Sequence, residues 1–261
     1  MAGYDWISLT TDYGLSDGFV AACHGAIARI APSVRVIDVT HLVQPADVAR
    51  GAAVLAQAVP HLPPAVHVAV VDPGVGTARR ALAVEAERGL LVGPDNGLLT
   101  PAADALGGIR RAVALENPDW FAPAVSATFH GRDVFAPVAA RLALGADLAA
   151  AGSTVDGRDL VRLPEPVVVV GDGWLEAEVL TVDRFGNVQL AAPGSTLDGL
   201  TGALQVSGMR AVRTNTFAEA GAGELIVYVD SADRVALAIN GGRAVVALGV
   251  TPGDVLRIST T

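Results

Sequence analysis

Lysine is absent from the 261 residues, so all 18 basic residues are arginine. Without lysine there is no Schiff-base amine and no Walker-type phosphate loop, because each depends on the lysine ammonium group. Cysteine is nearly absent as well. Cys23 alone cannot form an intrachain disulfide, a CxxC redox pair or a multi-thiolate zinc site, and it reads as a small buried apolar residue on a helix. A reducing, cytoplasmic setting is expected. Basic charge is scarce too: with 27 acidic residues the net charge is -9, which argues against a nucleic-acid partner. No apolar run approaches the roughly 18 residues of a membrane span, and the N-terminus lacks the pattern of a secretion signal, so no membrane partner is expected. What is plentiful is apolar residue, 51% of the chain, which fits a large core or an oligomer.

The pattern alternates from Ile7 to about Leu148. Ile7–Thr11, Val34–Val39 and Val66–Val71 read as strands, while Phe19–Ile30, Val48–Val59 and Val134–Leu144 carry helical periodicity. Pro32, Pro60 and Pro63 fall where helices should stop. Strand–helix alternation implies a mainly parallel sheet. Around residues 150–165 the composition turns to Gly, Asp, Arg and Pro, the composition of a linker. Beyond it, Val167–Val170, Leu175–Thr181, Leu225–Val229, Val235–Ile239, Ala244–Leu248 and Val255–Ile258 read as short strands of an all-β barrel or sandwich.

Ligands of open parallel sheets gather beyond the carboxyl ends of the strands. Those ends are acidic and glycine-rich here: Thr10–Gly18, Asp38–His41, Asp72–Arg80, Gly93–Gly97 and His130–Asp133. Taken singly, Asp12 and Asp17 could cap the following helix, Asp38 could end a strand, and Asp95-Asn96-Gly97 could be a turn. Gly14-Leu15-Ser16-Asp17-Gly18 also fits the GxSxG spacing of a serine hydrolase, which would make Ser16 a nucleophile. No HxH, HExxH or dense carboxylate motif suggests a metal. His24, His61 and His67 lie among apolar neighbours and read as structural, whereas His130 stands where a loop meets a helix start.

Five segments in order carry a resemblance. Thr10-Thr11-Asp12-Tyr13-Gly14 with Asp17, Val71–Thr77 with Arg79-Arg80, Gly93–Gly97, Phe129–Asp133 and Asp183-Arg184-Phe185-Gly186-Asn187 resemble the S-adenosylmethionine hydroxide adenosyltransferase family, relatives of fluorinase and chlorinase, over nearly the whole chain. The resemblance implies an α/β N-terminal domain with a mainly parallel sheet (residues 1–155) and a smaller barrel-like all-β C-terminal domain (166–261). It also implies a homotrimer with sites between subunits, and hydrolysis of S-adenosylmethionine to adenosine and L-methionine. It makes Asp72, Arg79 and His130 the water-activating set, which the halogenating relatives lack. It places Asp12 on the ribose hydroxyls, Phe185 on the adenine face, Asn187 on the adenine edge, and Asp17 and Ser231 at the methionine end, with Asp183 and Asn240 completing the substrate-binding set. Phe19, Ala232 and Ala46 depart from the halogenases, which have serine, arginine and tryptophan at those places.

The implied reaction is displacement at the ribose 5′ carbon, where a sulfonium leaves as a neutral thioether. That leaving group needs no acid, metal or cofactor. What must be supplied is an oriented, hydroxide-like water, from an Asp and a neutral His that hold or accept its proton and an Arg that stabilises the incoming oxygen. Halide-dependent adenosyl transfer, a Ser16 hydrolase and a non-catalytic adenosine or S-adenosylmethionine binding module are the competing expectations.

Overall fold

Largely apolar runs form strands buried on both faces, and the first half of the chain is built around two of them. The computed structural model describes residues 3–261, divided into one compact unit that ends at Leu163 and another that begins at Pro164. In the first unit the strands are β1 (Trp6–Thr11), β2 (Arg35–Thr40), β3 (Val66–Val70), β4 (Ala81–Ala86), β5 (Gly89–Pro94), β6 (Ile109–Ala114) and β7 (Thr154–Val155). The helices are α1 (Phe19–Ile30), α2 (Val48–Ala58), α3 (Thr100–Ala105) and α4 (Ala136–Ala143). Every residue of β3 and β5 is buried.

The sheet order is β2-β1-β3-β5-β4-β6-β7. Pairing is parallel across β2-β1-β3-β5 and antiparallel from β5 through β4 and β6 to β7. The change of direction follows from the short connection between β4 and β5, which admits only an antiparallel neighbour. One core cluster joins α1 and α4 to the sheet through Cys23, Ile27, Val138 and Leu142. A second joins α2 and α3 through Ala52, Leu55, Ala102 and Ala103. Burial pushes the Cys23 thiol up to about 12, which leaves it an inert apolar residue as expected.

Residues 154–163, whose composition suggests a linker, are bound into this unit. β7 pairs with β6, Leu160 is buried in the second cluster, and the Val161 N–H donates to Asp95. Of the histidines expected among apolar neighbours, only His67 is enclosed, at 0% exposure with its Nδ1 2.8 Å from the Ser8 hydroxyl. His24 stands one step round α1 from the inward-facing Cys23 and meets Asp38 of β2 at 2.9 Å, while His61 is exposed.

Burial pushes the His67 pKa down to about 4. A lowered folded-state value means stability is complete above the ordinary histidine pKa and is lost as pH falls from about 6.5 toward 4. Urea denaturation at pH 7 and pH 4.5 is expected to show His67 contributing up to about 3 kcal/mol of that loss. His67→Gln should flatten the slope; an unchanged slope would contradict the assignment.

In the second unit β8 (Val168–Gly171), β9 (Trp174–Val182), β10 (Val188–Pro193), β11 (Leu204–Val206), β12 (Met209–Arg213), β13 (Leu225–Val229), β14 (Arg234–Ile239) and β15 (Val255–Thr260) follow the order β10-β14-β13-β12-β11-β15-β9-β8. β10 also pairs with β9 and closes a seven-stranded barrel, with β8 added outside on β9. Strict alternation in β9 turns Leu175, Ala177, Val179 and Thr181 inward. Ala244–Leu248, expected as a strand, is instead a helical turn, α5. Its inward residues are Ala244, Val245 and Leu248, a helical spacing, and Gly249 ends it in the left-handed region at φ 63°.

Candidate active site

β1 and β3 are adjacent and parallel, with Thr11 opposite Val70, so Asp12, which follows β1 directly, and Asp72, two residues beyond β3, leave the sheet at neighbouring strand ends. The chain after β3 turns back on itself. Val75 N–H donates to the Asp72 carbonyl, Thr77 N–H to that of Gly74, and Arg79 N–H to the Thr77 hydroxyl. Gly76 lies at φ 77°, and a Cβ there would come within 2.5 Å of the Ala127 carbonyl, so this reversal requires glycine. Arg79 is thereby returned to Asp72.

The Arg79 Nε donates to both Asp72 oxygens at 3.1 and 3.0 Å, and its Nη2 donates to Oδ2 at 2.5 Å. Side-chain exposure is 4% for Asp72 and 11% for Arg79, so the pair is largely desolvated. The guanidinium also lies over the buried Phe135 ring, 5.3 Å from its centroid, a contact that suits a planar cation better than an ammonium. The same Nη2 lies 2.8 Å from His130 Nδ1. Arginine can only donate, so Nδ1 accepts and a neutral His130 carries its proton on Nε2. Burial first, and then the Arg79 charge, hold the His130 pKa below its ordinary value against the opposing pull of Asp72 and Asp133.

His130 is held by its surroundings. Gly131–Phe135 forms a π-helical turn, closed by the Ala136 N–H on the Gly131 carbonyl, that runs into α4. Pro137 has no N–H for the Asp133 carbonyl four residues back, and that carbonyl accepts from Ala122 N–H instead. The Asp133 carboxylate accepts from Ser126 N–H and pairs with Arg132. The loop that ends at His130 is thus tied at two points to Asp133.

Neither Asp12 nor Asp17 caps α1, whose N-cap is Gly18 with no side-chain bond. Asp12 Oδ2 accepts instead from Ala46 N–H at 2.9 Å, and Ala46 is a non-glycine residue at φ 65°. Asp17 and Ser16 are exposed, and among the described residues the histidine side-chain hydrogen bonds go to Ser8, Thr11, Asp38 and Arg79, none to Ser16. Asn96 works locally: its Nδ2 donates to the Val71 carbonyl beside Asp72.

In the barrel unit Asp183 organises the β9–β10 turn. Its Oδ1 accepts from the N–H of Phe185 and Asn187, and its Oδ2 accepts from Asn187 Nδ2 at 2.7 Å. The Phe185 side chain stands 74% exposed at the tip. Ser231 is exposed in the β13–β14 turn, which Asp230 closes by accepting from Ala232 and Arg234 N–H. Asn240 lies at the other end of β14, its Nδ2 on the Ala220 carbonyl, so roughly 20 Å of strand separates it from Ser231. Gln189, Asp230 and Tyr228, which no sequence motif singles out, link these turns. Gln189 Nε2 donates to Asp230 at 2.5 Å, and burial followed by the charges of Asp183 and Asp230 pushes Tyr228 up to about 12.

Among the described residues no group of three or more His, Cys, Asp or Glu side chains is placed to hold a metal, and no helix is long and apolar enough to cross a membrane.

Residues 7–152 match the SAM hydroxide adenosyltransferase N-terminal domain, and residues 177–257 match the C-terminal domain of the same family. The chain is 67% identical to the (R)-S-adenosyl-L-methionine hydrolase of Salinispora tropica across 99% of both proteins. It is 44% identical to that of Thermus thermophilus, across 95% of this chain and 97% of the relative. A fluorinase of Actinoplanes is 28% identical across 90% of both. An uncharacterized conserved protein from Thermotoga maritima superposes with a TM-score of 0.91 at 36% identity, covering 97% of this chain and 99% of that one. Both units of the fold are thus accounted for by one lineage, and the chain belongs to the SAM hydroxide adenosyltransferase family.

Proposed function

We propose that the protein hydrolyses S-adenosyl-L-methionine, in the (R) sulfonium configuration named for its relatives, to adenosine and L-methionine. The observation that carries this reading is the joined Asp72–Arg79–His130 set, with its desolvated ion pair, beyond the β3 strand end. Asp72 takes the proton of the attacking water, because His130 Nδ1 is already engaged by Arg79 and its Nε2–H is a donor. His130 orients that water, and Arg79 balances the charge that develops on its oxygen. The sulfonium leaves uncharged, so the residues need only direct the oxygen in line with the 5′ carbon–sulfur bond.

Asp12 suits the ribose hydroxyls, since one of its oxygens is bound to Ala46 and the other takes no protein hydrogen bond among the described residues. Phe185 offers an exposed ring for adenine, and Asn187, with its amide nitrogen held by Asp183, presents its carbonyl oxygen to the adenine edge. Asp17 and Ser231 are free at the surface for the methionine end, while Asn240 supports the barrel turn. The first unit carries the water-activating residues with Asp12 and Asp17, and the second the adenine contacts and, through Ser231, part of the methionine end, completed between neighbouring subunits of a cytoplasmic, metal-independent homotrimer. The apolar surfaces of Leu15, Phe19 and Phe185 fit such burial.

Turnover of each sulfonium epimer, with EDTA and with or without chloride or fluoride, tests the reading. Adenosine and methionine from the (R) epimer, at a rate indifferent to halide, are expected. A 5′-halogenated nucleoside, or tight adenosine binding with no turnover, would overturn it.

A further inference from the structure

His130 is flanked in sequence by Phe129 and Gly131, and one side chain from another element touches both. The Tyr13 ring meets Phe129 edge-on at 5.6 Å between centroids, and its hydroxyl lies over Gly131 so closely that a Cβ there would stand 2.0 Å from the oxygen and 3.0 Å from Cζ. Tyr13 is itself anchored on both sides, since its own N–H donates to the Thr11 hydroxyl and the Gly14 N–H to the His41 carbonyl. It follows Asp12 directly in the chain, and its ring packs against the core cluster that contains α1 and α4. Phe19 completes a group of three rings at 5.3–6.0 Å. Burial above all, with the charges of Asp12 and Asp72, keeps the phenol protonated, so Tyr13 offers no base of its own.

Resting on the hydrolase reading above, we propose that Tyr13 is a positioning residue that brackets His130 from both sides and fixes its ring for the Arg79 contact. The glycine at 131 is the complementary half of the device, because any side chain there would displace Tyr13 or rotate the start of the π-helical turn. Geometry of this kind matters because an error near 1 Å in an attacking group costs on the order of 100-fold in rate.

The test pairs kinetics with nitrogen-15 NMR of the His130 ring, which reports the arrangement even if no substrate is turned over. In the wild-type protein Nδ1 is expected unprotonated. Tyr13→Leu is expected to lower kcat by about 10- to 100-fold with KM changed by less than about threefold, and to lose the fixed tautomer. Tyr13→Phe, which keeps the ring, should recover most of that loss. Gly131→Ala acts from the other side and should reproduce the Tyr13→Leu spectrum, and the double variant Tyr13→Leu/Gly131→Ala should be little worse than either single one. If Tyr13→Leu or Gly131→Ala keeps the wild-type tautomer and kcat, or if their losses multiply, the proposal is wrong. A wild-type tautomer as expected, with no hydrolysis of either epimer, would sink the hydrolase reading and leave the Tyr13 arrangement standing.

Discussion

Asp72→Asn is expected to lower turnover by about 10²- to 10⁴-fold, the range for loss of a positioned general base, while adenosine still binds. The carboxylate is 96% enclosed, and its two oxygens face the guanidinium of Arg79, so asparagine fills the same space without the charge. An amide at this place cannot take a proton from water, whereas ribose and adenine contacts assigned to Asp12 and Asn187 remain. The effect therefore falls on kcat more than on KM. Steady-state kinetics on the (R) epimer check this. Turnover within tenfold of wild type would remove Asp72 from the role of proton acceptor.

Arg79→Leu is expected to have the largest effect on stability, about 3–5 kcal/mol, because it leaves a buried carboxylate without its partner. Two further groups lose a neighbour at once: His130 loses the donor to Nδ1, and the Phe135 ring loses the cation on its face. The cost belongs to the stranded charge more than to the missing bonds. Asp72→Asn/Arg79→Leu should accordingly be more stable than Arg79→Leu alone, although equally inactive. Urea denaturation of the three variants tests this, and a single Arg79→Leu protein within about 1 kcal/mol of wild type would contradict the account.

Much of this is legible in the sequence. β3, which leads through Val71 to Asp72, shows as a largely apolar run because a strand covered on both faces has no solvent side to alternate with. β9 shows for the opposite reason, its strict alternation being the mark of a barrel wall. Asp72, Arg79 and His130 stand out through their glycine-rich settings, and the structure joins them although 51 residues separate Arg79 from His130.

What could not be read depends on approach in space rather than on pattern. Gly131 is one of 29 glycines, and only the Tyr13 hydroxyl lying over it explains its presence. Pro137 looks like an ordinary first-turn proline until the freed Asp133 carbonyl is seen holding Ala122. The strained Ala46, like the Asp12 contact that replaces a helix cap, arises from a meeting of two loops 34 residues apart. Ala244–Leu248 misleads because five apolar residues are too few to separate a strand from a helical turn. The polar composition of residues 154–163 reflects arginines and aspartates that pair within the first unit, and not an untethered connection.

The central claim is that a water molecule held by Asp72, Arg79 and His130 attacks the 5′ carbon directly. A single turnover in oxygen-18 water, with enzyme in excess over the (R) epimer and the product examined by mass spectrometry, tests it. The account predicts that adenosine from this first turnover carries the label in its 5′ hydroxyl. Unlabelled adenosine in the first turnover would show that the oxygen came from a protein carboxylate, and would contradict it.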